Sequence, residues 1–287
     1  MISLFKYFPT YFFIFSLIPP ITFLVIKIRN SSLLLMPKEY KAIKRIITKL
    51  ALKNDLGNYP FTFSITAGSR VTWIAKSLGL TRKSQSSYHL KRINPFIKYK
   101  GKLSHEINEA IRQSYLLDTI EASAYPNGYI QISRSSFKSN ENLEDYLAFV
   151  IGHEISHVLN EDSFNKSLKV SKKGKKLKTK KRIEYGFEIS RECEKEADIC
   201  SAKMLINAGY STSIPVKAHD FIAKKDGYGY ETGKKDTHPG YEERRNNLID
   251  FIFKNYPDFS EAKGYTKGSW EYDREENTLT YKIKERY

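Results

Sequence analysis

An otherwise apolar stretch, LAFVIGHEISHVLNED at residues 147–162, carries two histidines and a glutamate in its middle. Residues four apart share one face of a helix, so His153 and His157 can direct two imidazole nitrogens at one point. Glu154 is turned aside from that point. A buried helix would hold such groups only at a cost in free energy, unless a shared partner offsets it. The stretch therefore predicts a core helix that supplies two ligands to a metal ion.

The spacing of these three residues matches the H-E-x-x-H pattern of zinc hydrolases. Zinc accepts imidazole nitrogens, and a catalytic zinc has three protein ligands and one open position for water. Glu154 could act on such a water as a general base without binding the metal itself. The alternative is an interior helix whose histidines are satisfied by protein partners, because the pattern also arises by chance.

A second segment, SRECEKEADICSAKML at residues 190–205, offers a third ligand. Glu194 could complete the metal site, and Asp198 lies four residues later on the same helical face. Asp198 could accept a hydrogen bond from the free ring nitrogen of a ligating histidine, for which we favour His153. Glu192 and Glu196 are expected to point into solvent.

The remaining pattern predicts an α+β fold that is mostly helical. Apolar residues at helical spacing and turn residues at the ends predict helices over residues 37–55, 71–80, 104–117, 142–159 and 188–208, the last ended by Gly209. A short strand followed by a turn is predicted over 61–68 and a strand at 129–133, with a hairpin at 269–287. Two cysteines seven residues apart on one helix would lie about 10 Å apart, too far for a disulfide.

Positive charge is concentrated in one segment. The formal net charge is +16, and ten basic residues without an acidic one lie between Lys166 and Arg182, which leaves about +6 for the rest of the chain. This composition predicts a solvated basic loop inserted at 165–183. Attraction of that loop to anionic lipid headgroups is the alternative. Nucleic-acid binding is not expected, because no aromatic residue is interleaved with the lysines.

The N-terminal region contains twenty residues without a charge, Tyr7–Ile26. As a helix, this length matches the hydrocarbon core of a bilayer, about 30 Å thick. Lys27 and Arg29 follow the run, where a cleaved signal peptide would have small residues. We therefore predict a single-pass membrane anchor within residues 1–35, with a cleaved signal peptide as the alternative. Basic residues that follow the span favour a cytoplasmic location for the rest of the chain, with the exported side of the membrane as the alternative.

Three ordered motifs carry a resemblance to a known family: GHEISHV, then SRECEKEAD leading into LINAGY, then DTHPGYEERRNNL. Over residues 100–255 the chain resembles the HtpX-like and Oma-like membrane-associated zinc metallopeptidases, to which the CAAX prenyl endopeptidases are related. The resemblance implies a thermolysin-like zincin catalytic domain, placed at 36–255 and followed by a hairpin-like tail at 256–287. It implies one Zn²⁺ held by His153, His157 and Glu194, with Glu154 as catalytic base and Asp198 as the partner of a ligand.

Two further residues gain roles through the resemblance. His238 is expected to face the metal, where it would either stabilise the oxyanion or mask the zinc at rest. A loop histidine that caps the following helix is the alternative. Arg244 is expected to contact substrate or to pair with an acidic residue near the site, or else to lie on a solvated helix face.

A substrate-binding edge strand is the last feature that the resemblance implies. A peptide would add to this strand by backbone pairing, and Tyr129, Ile130, Gln131 and Ile132 occupy the corresponding place. The chain departs from the family at two points. EASA, starting at Glu121, stands where Asn-Ala-x-Ala is usual, and Asp162 stands where a further histidine is usual.

Taken together, the residues and the resemblance predict a membrane-anchored, zinc-dependent endopeptidase that acts on polypeptides in membrane or envelope protein quality control. The first alternative is a zinc-binding, chaperone-like membrane factor with little or no turnover. The second is a nucleic-acid-associated scaffold in which zinc is structural. A factor without turnover would have no use for a general base, so Glu154 argues against the first alternative. A structural zinc has four protein ligands, so an open coordination position argues against the second.

Overall fold

The computed structural model describes residues 36–79, 92–117, 119–138, 143–226, 229–256 and 266–286. The predicted membrane segment, Tyr7–Ile26, and residue 142, where the predicted helix over 142–159 begins, lie outside these ranges. Within them, no helix is both long enough and apolar enough to cross a bilayer.

The described chain is a mostly helical α+β fold, in agreement with the predicted class. Its helices are α1 (Lys38–Ala51), α2 (Arg70–Ser77), α3 (Ser104–Leu116), α4 (Leu143–Leu159), α5 (Asp162–Gly174), α6 (Thr179–Asn207), α7 (Ile214–Asp226) and α8 (Tyr241–Asn255). Its strands are β1 (Phe61–Thr66), β2 (Ala122–Ala124), β3 (Tyr129–Ser133), β4 (Thr266–Asp273) and β5 (Thr278–Arg286).

Helix α4 lies in the core and packs against α6, α7 and β2. The close approach of α4 and α6 depends on Gly152, because a Cβ atom there would lie 2.6 Å from Ser201 Oγ. That hydroxyl donates a 2.7 Å hydrogen bond to the carbonyl oxygen of Phe149. Ser201 therefore fixes the two helices one turn away from His153 and brings Glu194 alongside the histidines.

The five strands form one sheet in the order β2-β3-β1-β5-β4. β3 pairs with β1 on one side and with β2 on the other. The prediction that Tyr129, Ile130, Gln131 and Ile132 form an edge strand is therefore wrong, since both edges of β3 are already paired. The open edge beside α4 belongs to β2, the EASA segment.

The basic segment is helical, so the prediction of a loop at 165–183 is wrong. α5 covers its first part, and α6 begins at Thr179 rather than near Glu188. Lysine is a good helix former, so a lysine-rich composition does not exclude helix. α5 packs against α6, and we call residues 162–188 the basic hairpin.

The C-terminal hairpin forms as predicted, from β4 and β5. β5 also pairs antiparallel with β1, so this segment is built into the sheet and does not form a separate tail. Helix α6 ends as predicted at Gly209, whose φ is +80°. The Tyr210 amide then bonds back to the Leu205 carbonyl at 3.0 Å, which closes the helix end.

Candidate metal centre

Helices α4 and α6 bring three metal-binding side chains together. The Nε2 atoms of His153 and His157 lie 3.0 Å apart. Glu194 oxygens lie 3.3 Å from His153 Nε2 and 3.5 Å from His157 Nε2. One ligand atom from each side chain falls within 4.8 Å of the others. The three ligands predicted from two separate segments are thus close enough to share one ion.

Each histidine is oriented by a carboxylate on its other ring nitrogen. His153 Nδ1 lies 2.9 Å from Asp198 Oδ1, as predicted. His157 Nδ1 lies 2.6 Å from Asp162 Oδ2. Such partners fix the ring orientation and the tautomer of metal-binding histidines. Both Nε2 atoms are therefore left to face the shared point.

The role of Asp162 was missed by the sequence analysis, which noted this residue only as a departure from the family. α4 ends at Leu159, and Glu161 takes a left-handed conformation with φ 52°. This left-handed residue separates the two helices, and Asp162 begins α5 beside His157. The only available signal was an acidic residue five positions after His157.

The electrostatics of this donor set fit a cation. Burial disfavours protonated imidazoles, but bonds to Asp198 and Glu194 outweigh it and raise the pKa of His153 to about 9. Burial is likewise outweighed at His157, where Asp162 and Glu194 raise the pKa to about 10. The site therefore demands positive charge at its centre, which a divalent ion satisfies with the imidazoles neutral. Two nitrogens and a carboxylate oxygen are the ligand types that zinc prefers.

Glu154 lies beside the three ligands without joining them. Its side chain is buried, and the backbone of Ala124 in β2 hydrogen-bonds to it. Burial raises the pKa of Glu154, although the two histidines oppose this shift. A raised pKa suits a carboxylate that takes and returns protons near neutral pH.

The model of peptidase family M48 matches residues 102–173, about a quarter of the chain. The matched segment contains the open strand β2 and the helix with His153, Glu154 and His157. Over this segment the chain is similar to family M48, a family of zinc metallopeptidases. No curated protein and no solved structure matches the chain significantly. Glu194 lies beyond the matched segment, so its place at the site rests on the geometry above.

Arg244 supports the metal centre through Asp198. Its guanidinium makes two 2.7 Å hydrogen bonds to the carboxylate of Asp198, and both side chains are buried. Burial would raise the pKa of Asp198, but Arg244 and His153 hold it below its usual range. Of the roles expected for Arg244, pairing with an acidic residue near the site is confirmed, and substrate contact stays a prediction.

His238 reaches the metal centre from the loop before α8. Its Nδ1 atom lies 3.0 Å from Glu194 Oε2, while 65 % of its side chain stays exposed. Glu192 and Glu196 are exposed on α6, as predicted. The loop thus places a polar, solvent-accessible group directly against a metal ligand.

A cavity of about 600 Å³ opens in front of the metal centre, and strand β2 forms one of its walls. The hydrogen-bonded pairs of the β2–β3 ladder include Glu121 with Ser133 at 2.8 Å and Tyr125 with Tyr129 at 2.9 Å. Bonded and non-bonded pairs alternate along an antiparallel ladder. Ala122 and Ala124 therefore point their backbone groups away from β3, toward the cavity.

His219 is a second residue that the sequence analysis missed. It lies in α7, lines the same cavity and is 1 % exposed. Neither ring nitrogen has a hydrogen-bond partner within the described ranges. Burial lowers the pKa of His219 to about 4, so this imidazole is neutral at ordinary pH. No spacing in the sequence relates α7 to the H-E-x-x-H helix.

Proposed function

We propose that this chain is a membrane-anchored zinc endopeptidase of family M48 that hydrolyses internal peptide bonds with one Zn²⁺ per chain and with Glu154 as general base. The observation that supports this most strongly is the convergence of His153, His157 and Glu194 beside Glu154 and an open strand edge. A structural zinc site would need neither the base nor the strand.

Zinc at this site would acidify a water molecule and polarise the scissile carbonyl. Glu154 takes a proton from the attacking water and then delivers it to the leaving amine, so one water is consumed for each peptide bond broken. Asp162 and Asp198 hold the imidazoles in place throughout. Arg244 keeps Asp198 ionised and fixed in position.

The substrate would bind as an extra strand along β2. The backbone groups of Ala122 and the carbonyl of Ala124, which face away from β3, can pair with an extended peptide. In this mode backbone hydrogen bonds supply affinity and side-chain pockets supply specificity. The Ala124 backbone at the end of this edge hydrogen-bonds to Glu154. A peptide paired with β2 would therefore pass directly beside the catalytic base.

His238 supports either of two roles in this reaction. As a hydrogen-bond donor it could stabilise the oxyanion that forms on the scissile carbonyl. Its contact with Glu194 also favours the alternative function, a zinc-binding, chaperone-like membrane factor, because a histidine held there could mask the metal.

Membrane attachment completes the proposal. The charge-free segment Tyr7–Ile26 would anchor the chain, and the basic residues behind it favour a cytoplasmic catalytic domain. The basic hairpin would add attraction to anionic lipid. A peptidase held at a bilayer suits a role in membrane or envelope protein quality control.

The decisive experiment compares the wild-type protein with Glu154→Gln in digestion of casein, with metal content measured on the same samples. We expect the variant to keep its zinc and to lose about 10²- to 10⁴-fold in rate, the usual contribution of a general base. Glu196→Gln, an exposed change on α6, should match the wild type. Cleavage by Glu154→Gln at the wild-type rate would overturn the mechanism, and zinc without any cleavage in the wild type would favour the chaperone-like alternative.

A further inference from the structure

A second cavity, of about 710 Å³, lies against the metal centre. His157 and Ala124 line both cavities, so the two are adjacent. We call this second cavity the aromatic cleft. Its apolar walls are Tyr59, Pro60, Tyr125, Pro126, Val158 and Phe164.

The aromatic cleft exposes side chains that a folded protein usually covers. Phe164 is 62 % exposed and Tyr59 is 67 % exposed. Contiguous apolar surface of this kind, when it lines a concavity, marks a binding site for apolar groups. Phe164 belongs to α5 and Tyr59 to the segment before β1, so the fold brings them to one cleft from distant parts of the chain.

Two walls of the cleft are held in place by contacts within the fold. The Tyr125 hydroxyl donates a 3.1 Å hydrogen bond to Gln131 Oε1, and its ring packs against Tyr129 at 5.9 Å between centroids. Gly128 has φ +77°, and a Cβ atom there would lie 2.5 Å from the Pro60 carbonyl oxygen. The Tyr125–Gly128 turn is thus packed tightly on the chain before β1.

The remaining wall is tied to the metal centre. Asp162, two residues before Phe164, is bonded to His157 and fixes the start of α5. A pre-formed cleft binds its ligand at a lower entropic cost than one that must first be ordered. Gln131 and Tyr129, which the sequence analysis assigned to substrate contact, act here as supports for Tyr125.

We propose that the aromatic cleft receives a bulky apolar side chain of the polypeptide substrate, aromatic or leucine-like, from a residue on one flank of the scissile bond. The inference rests on the proposed function. A peptide paired with β2 advances about 3.3 Å per residue. Because Ala124 both contacts Glu154 and lines the cleft, a residue one to three positions from the scissile bond lies over it.

The test measures cleavage of fluorogenic peptides that differ only in the residue at each position near the scissile bond. At one position on one flank, the wild-type protein should cleave peptides with Phe or Leu about 10- to 100-fold faster than peptides with Ala or Asp, as expected when a pocket buries several carbon atoms. In Phe164→Ser this ratio should fall toward one. Phe253→Ser removes an 85 % exposed phenylalanine of α8 that lines neither cavity, and it should keep the wild-type ratio.

The controls separate the inference from the function on which it rests. Absence of any cleavage that depends on Glu154 would refute the proposed function. Cleavage that depends on Glu154 but shows no apolar preference, or keeps that preference in Phe164→Ser, would refute the cleft alone. Light scattering tests whether a second copy of the chain occupies the cleft instead. If the wild type is a dimer, and Phe164→Ser dissociates it without changing the substrate preference, the cleft is a contact between copies and the proposal is wrong.

Discussion

At the scale of single residues, the metal centre is organised by two aspartates that reach it from different helices. Asp198 lies on α6, opposite His153, whereas Asp162 begins α5, directly after the helix that carries His157. Among the residues that the structure describes, an arginine holds Asp198 and none holds Asp162. Each aspartate therefore contacts the Nδ1 atom of a histidine, and Asp198 is itself held in place by Arg244.

Replacing Asp162 with Asn should weaken zinc binding by about 10- to 100-fold, the usual effect of removing the partner of a metal-binding histidine. The amide cannot stabilise the Nδ1–H of His157 as a carboxylate does. Zinc affinity is measured by competition with a chromogenic chelator, and Asp250→Asn, an exposed change on α8, serves as the control. Equal affinities in the two variants would show that Asp162 does not support the site.

Replacing Arg244 with Met should lower the free energy of unfolding by about 3–5 kcal/mol, because it leaves Asp198 charged and buried without its main partner. The neighbouring change Arg245→Met removes a more exposed pair with Asp220 and should cost at most about 1 kcal/mol. Urea denaturation of the metal-free proteins compares the two. Similar losses for both arginines would contradict the buried-pair account.

The sequence predicts the place of a residue at the site correctly where helical geometry alone determines that place. The i, i+4 spacing places His153 with His157 and Glu194 with Asp198, whatever surrounds them. Asp162 depends instead on a left-handed residue at Glu161, which no spacing rule requires. His219 depends on how α7 packs against α4, and such long-range packing leaves no local pattern.

At the scale of secondary-structure elements, the same distinction explains the error about the substrate strand. The alternation at Tyr129–Ile132 correctly predicts a strand, since two of its residues are fully buried. Strand order, however, is set by pairing with β1 and β2, which lie about 65 and 7 residues away along the chain. The sequence therefore predicts that a strand exists but not which of its edges is open.

The basic hairpin was predicted as a loop because its lysines outnumber its apolar residues. Its exposed apolar residues, Phe164, Leu168 and Ile183, nevertheless lie among those lysines. Apolar side chains surrounded by basic ones are typical of helices that lie at a membrane surface.

Replacing Lys166, Lys169, Lys172 and Lys173 with Gln should reduce binding of the full chain to anionic vesicles relative to neutral ones, by about 1 kcal/mol for each lysine that reaches the surface. The preference of the wild type should also weaken as salt is added. Flotation with both vesicle types measures the ratio, and Lys→Gln changes at the exposed residues 224, 225, 234 and 235 are the control. An unchanged ratio in the hairpin variant would assign the hairpin no role at lipid.

At the scale of the whole molecule, the catalytic unit extends from α1 to the C-terminal hairpin. The Tyr40 hydroxyl of α1 donates a 2.6 Å hydrogen bond to the Asn277 carbonyl, and Asn277 Nδ2 donates to the Ile65 carbonyl at 2.7 Å. Thr266 likewise accepts a hydrogen bond from the Leu56 amide. The hairpin thus closes the sheet whose far edge faces the metal centre, and the helices hold the ligands against that edge.

The most direct test of this account is zinc-edge X-ray absorption on the purified full-length protein, together with its metal content. The account predicts one zinc per chain, bonded to two imidazole nitrogens and to oxygen at about 2.0–2.2 Å. Glu194→Gln should weaken that site. Zinc bound through sulfur at about 2.3 Å, which would implicate Cys193 or Cys200, or a protein without stoichiometric metal, would contradict it.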